Sequence, residues 1–157
     1  MVGLVWIHLL AAVVWIGGMA FLSLVLVPVL RQGGRFVQHA ALFKTVALRF
    51  RVVVWGAITV LVGSGLVLAT NRAIPLTEPG LWPSVFAVKI ATVSLLLSLT
   101  LLHDGVVGPA VRRVLARPES ERSAFEILLV RYSSLLPRAS LLLGLMILLL
   151  AVMLARS

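Results

Sequence analysis

Four stretches of this chain are apolar for long enough to cross a bilayer. Residues 2–30, 52–71 and 139–155 carry no formal charge, and residues 83–103 carry a single one, Lys89. A helix rising 1.5 Å per residue needs about 20 apolar residues to span the hydrocarbon core. The runs are continuous rather than alternating, which argues against a transmembrane barrel. In lipid the backbone must satisfy its own polar groups, so each run is expected to be a helix. The pattern predicts helices over residues 3–30, 52–71, 83–104 and 119–155. Pro28 marks the end of the first, and Pro75, Pro79 and Pro83 punctuate the segment before the third. The fourth is expected to start after Pro118, with Glu119 and Glu121 at its positive dipole end, and to kink near Pro137. The fold class is therefore all-α, a single transmembrane four-helix bundle over residues 1–157.

The composition agrees with a membrane protein: 61% of residues are hydrophobic and only 12% charged. The N-terminus lacks the basic region of a signal peptide, so the first helix is expected to be retained. The net charge of +9 would suit a nucleic-acid partner, but the hydropathy excludes that reading. Instead the charge is topological. Residues 31–51 hold Arg31, Arg35, Lys44, Arg49 and Arg51, and residues 104–138 hold six arginines, so eleven of the 14 basic residues lie in two segments. The positive-inside rule places both segments in the cytoplasm, against anionic lipid headgroups, and both termini outside. The expected location is the cytoplasmic (bacterial inner) membrane.

There are no cysteines, which excludes disulfides and thiolate metal ligands. None of the five acidic residues is firmly inside a span, which argues against a pump built on buried carboxylates. No phosphate loop, metalloprotease helix or nucleophile elbow is present.

What remains is a small polar set within the spans. A charge at bilayer depth costs roughly 2.5–3.5 kcal/mol or more, so Lys89 is expected to face protein or a wet cavity. His8 lies at a similar depth, about 6–9 Å from the outer end of the first helix, and is the candidate partner. Lys89, Thr92, Leu96, Thr100 and His103 share one face of the third helix, and His8 and Trp15 share one face of the first. An imidazole can ligate haem iron, copper or zinc. Met153, near the outer end of the fourth helix, is a second soft donor for Cu(I). Simpler roles stand beside these: Lys89 snorkelling to the interface, His8 and His103 as interfacial residues, and Gly63, Ser64 and Gly65 as a close-packing surface. Trp6 and Trp82 fit an outer aromatic belt, whereas Trp15 near mid-membrane should face a packed interior or a flat cofactor.

The stretch Trp6-Ile7-His8-Leu9-Leu10-Ala11-Ala12-Val13-Val14-Trp15-Ile16-Gly17-Gly18 resembles the first helix of CopD-type copper-resistance membrane proteins. Arg49-Phe50-Arg51, Gly63-Ser64-Gly65-Leu66 and Lys89 are similar to that family's later helices. The resemblance implies copper uptake or tolerance at the cytoplasmic membrane. The chain is also similar to HemJ-type four-helix proteins, which carry a histidine seven residues before a tryptophan and a third helix with a lysine and then a histidine. This second resemblance implies haem b.

Three readings follow: a CopD-like protein handling copper or another redox metal through His8 and Met153; a haem b protein with His8 axial and Trp15, Lys89 and His103 around the cofactor; and a non-catalytic accessory subunit. Whether the protein is an enzyme stays open. The partners implied are the bilayer, a metal-delivery or electron-transfer protein, and possible pairing as a homodimer.

Overall fold

The computed structural model describes residues 1–31, 40–133 and 135–156. Among them there are helices and turns and no strand. Four helices are long and apolar enough to cross a membrane: α1 (Val2–Val29), α2 (Ala40–Asn71, with its apolar part at Thr45–Asn71), α3 (Ser84–Leu115) and α4 (Ala124–Arg156, helical over Ala124–Ser133 and Leu135–Arg156). The protein is thus an all-helical, multi-pass membrane protein by the length and apolarity of its helices. Residues 32–39, which include Arg35, lie outside the described residues.

The helices run beyond the apolar stretches. α2 starts at Ala40 because the polar residues ahead of residue 52 are Lys, Arg and Thr set among Ala, Leu and Val, and Ala, Leu, Lys and Arg are strong helix formers. α3 continues past His103 through a π-helical turn, His103–Val107, into Gly108–Leu115. Pro118 precedes only a 3₁₀ turn, Glu119–Glu121. The helix itself starts at Ala124, and its start is a capping box: the Glu126 N–H donates to Ser123 Oγ (3.3 Å), and Glu126 Oε2 accepts from the Ser123 N–H (2.9 Å). Pro137 lies within the helical stretch Leu135–Arg156, and residue 134 ahead of it lies outside the described residues.

The chain forms two compact units, Met1–Trp82 and Pro83–Ser157. In the first, α1 and α2 pack antiparallel. Near one end a Cβ added to Gly18 would run into the Phe50 ring, and near the other a Cβ on Gly65 would lie 3.4 Å from the His8 ring. α2 closes with a Schellman motif: Ile74 N–H donates to Ala69 O (3.2 Å) and Ala73 N–H to Thr70 O (2.9 Å). Ala73 takes the left-handed position usually given to glycine, at φ 54°, and the apolar residues Ile74 and Ala69 are buried beside it. The loop that follows is tied by the Trp82 indole, whose Nε1–H donates to Pro75 O (2.8 Å).

In the second unit α3 packs along Leu135–Arg156. Leu96 of α3 has no exposed surface at all. On α4, Ser140 and Gly144 are buried one turn apart, a small-xxx-small pair of the kind that lets membrane helices approach closely.

Candidate functional site

His8 is the polar residue of α1 that the fold engages most specifically. Its Nδ1 lies 2.7 Å from Ser64 Oγ on α2, 56 residues away in sequence. The two positions match in depth: His8 is about 9 Å from the start of α1, and Ser64 about 10 Å from the end of α2. Ser64 in turn donates to Val60 O at 2.5 Å. The His8 ring and the Ser64 hydroxyl thus share one hydrogen bond between two helices, and its direction follows the ring's tautomer.

Gly65 completes the seat. Its Cβ position lies 3.4 Å from His8 Cε1 and 4.0 Å from Nδ1, so the backbone here packs directly against the ring at ordinary contact distance. Gly63 has nothing within 4 Å of its Cβ position, so of the three small residues Ser64 and Gly65 serve the histidine and Gly63 does not. This pair is the feature that reading the sequence as packing alone missed. The signal was present, since a hydroxyl between two glycines in mid-span is a polar group with room around it.

Trp15 lies two turns further along α1, within the π-helical turn Val13–Gly17. Its side chain is 4% exposed, and its Nε1–H is buried with no acceptor among the described residues. A buried donor left unmade costs about 1–3 kcal/mol.

Lys89, His103 and Met153 belong to the second unit. Lys89 is half-buried on α3. The stripe that it heads is largely self-satisfied: Thr92 Oγ1 donates to Val88 O and Thr100 Oγ1 to Leu96 O, each at 2.8 Å. Ser98 closes on Ser94 O in the same way (2.9 Å). These hydroxyls are spent on their own helix and are not aimed at a ligand. His103 lies fourteen residues beyond Lys89, about 21 Å along the helix, so the two do not share a site within α3. Its Nδ1 is 3.2 Å from Asp104 Oδ1, at the start of the π-helical turn. Met153 is half-exposed near the end of α4. No group of three His, Cys, Asp or Glu side chains comes together among the described residues.

Compared with known family models, curated proteins and solved structures, the chain has no significant match.

Proposed function

We propose that the protein is a four-helix bundle in the cytoplasmic membrane, with both termini outside, that binds a redox-active metal group through His8. The observation that carries this reading is the 2.7 Å hydrogen bond between His8 Nδ1 and Ser64 Oγ, which joins the ring to a second helix. Metal-bound histidines characteristically donate their other ring N–H to an acceptor that fixes tautomer and orientation and raises ligand basicity. Ser64 is the group that would do this for His8, and Gly65 lies against the ring.

The number of donors favours haem b over a bare copper ion. Copper of the kind that the CopD resemblance implies needs several protein ligands, with Met153 the second soft donor that the sequence offers. A porphyrin brings four nitrogens of its own and asks the protein for one or two axial ligands. A single oriented imidazole suits the latter. The buried Trp15 indole, on the same face of α1, adds a donor that has no acceptor among the described residues. Haem b bound there would supply one-electron redox chemistry to the membrane. His8 would hold it, Ser64 would keep the imidazole aligned, and the apolar faces of α1 and α2 would exclude water. Lys89 keeps a separate role on α3, as a half-buried cation that sets local charge.

The test is an absorption spectrum and metal analysis of the detergent-purified full chain. A Soret band that is lost in His8→Ala and shifted in Ser64→Ala is expected. Colourless protein carrying stoichiometric copper that His8→Ala removes would replace haem by the copper reading. Protein with neither group leaves only an accessory role.

A further inference from the structure

The second unit holds an open groove of about 640 Å³ where the chain turns from α3 into α4. Val114, Phe125 and Leu129 are among its lining residues, and Phe125 is 73% exposed. Four charged residues line it: Arg113, Arg117, Glu121 and Glu126. Two of these charges are already committed to each other. Arg117 Nη1 donates to Glu126 Oε1 (3.2 Å), while Glu126 Oε2 is held by the helix cap. The other two are not. Arg113 uses only Nε, on Pro109 O (3.4 Å). The Glu121 carboxylate makes no ion pair or side-chain hydrogen bond among the described residues, and it does not pair with Arg113 although both line the same groove.

We infer that this groove is a binding site for a phospholipid whose headgroup carries both a phosphate and a primary ammonium, an ethanolamine phospholipid. The phosphate fits the Arg113 guanidinium through charge-assisted hydrogen bonds. The ammonium, with three N–H donors, fits the Glu121 carboxylate. The acyl chains lie on Phe125 and Leu129, at the end of two helices that cross the bilayer. A purely anionic headgroup would meet the unpaired Glu121 carboxylate, and a choline headgroup offers no N–H to it. The lining arginines and glutamates are equal in number, so net charge does not drive the selection; the pairing of opposite, uncommitted groups does.

The inference rests on the membrane placement of α3 and α4 and not on the metal reading, and the variants that test it leave any His8-dependent spectrum unchanged. The full chain is purified, delipidated and reconstituted in vesicles of phosphatidylethanolamine, phosphatidylcholine and phosphatidylglycerol in equal parts. Lipid retained after re-extraction is read by native mass spectrometry. Ethanolamine lipid should be retained over both others, by about tenfold for one charge-assisted contact. Glu121→Gln should abolish the preference, Arg113→Gln should lower retention of all three lipids, Arg113→Lys should keep most of that retention, and Arg156→Gln at the far end of α4 should change nothing. Equal retention of the three lipids overturns the inference, as does a preference that survives Glu121→Gln or a retention that Arg113→Gln leaves unchanged. Phosphatidylglycerol retained above ethanolamine lipid, and rising further in Glu121→Gln, overturns it in favour of a plain anionic site.

Discussion

The α1–α2 pair and the α3–α4 pair solve the same problem in opposite ways. Both place polar side chains in apolar surroundings where no water can satisfy them. In α3 the solution is local, because Thr92, Ser98 and Thr100 each return a hydrogen bond to the carbonyl four residues earlier. That helix meets its neighbour through apolar packing and small residues, with Leu96 at the centre and Ser140 and Gly144 on α4. In α1 the solution is tertiary, because His8 Nδ1 reaches across to Ser64 of α2. A hydroxyl that closes on its own helix is silent about function. A ring held by a second helix is committed to one orientation, which structural packing alone does not require.

The largest expected effect tests the packed side of this contrast. Leu96→Ala should lower the stability of the detergent-solubilised protein by about 2–4 kcal/mol, read as a shifted unfolding midpoint, and leave any His8-dependent spectrum in place. An unchanged midpoint would mean that α3 and α4 are not held by that side chain. Next, Gly18→Val drives a branched side chain into Phe50 and should cost about 1–3 kcal/mol, with Phe50→Ala recovering part of the loss. Failure of the second substitution to rescue the first would separate the two residues. The smallest effects sharpen the contrast most. Ser64→Ala removes the hydrogen-bond partner of His8 Nδ1 and should cost about 0.6–2 kcal/mol. Thr92→Val removes only a bond within one helix and should cost less than about 0.5 kcal/mol. Equal costs at the two positions would break the distinction between local and tertiary satisfaction.

Much of the architecture is legible in the chain, because lipid leaves few alternatives. Continuous apolar runs of sufficient length must be helices, and the four runs correspond to α1, α2, α3 and α4. The ends are less legible. The apolar pattern marks where lipid begins and not where the helix stops, so α2 and α3 overrun it by about three turns each. At α4 the proline and acids before residue 122 suggested a start, yet the capping box of Ser123 and Glu126 decides it. The S-x-x-E spacing is itself readable, and its reciprocal bonds satisfy two orphan backbone donors where Pro118 satisfies none.

His8 stands out in the sequence because a titratable ring in an uncharged run is rare, and composition alone is enough to show that. Hydropathy and charge likewise determine that the protein crosses a membrane as helices, since those properties depend on each residue's transfer from water and not on its neighbours. Only the tertiary structure joins His8 to Ser64 and Gly65, leaves the Trp15 indole without an acceptor among the described residues, and turns Arg113 and Glu121 toward one groove without pairing them. Such relations depend on which faces of two helices meet, and helical periodicity limits that choice without making it.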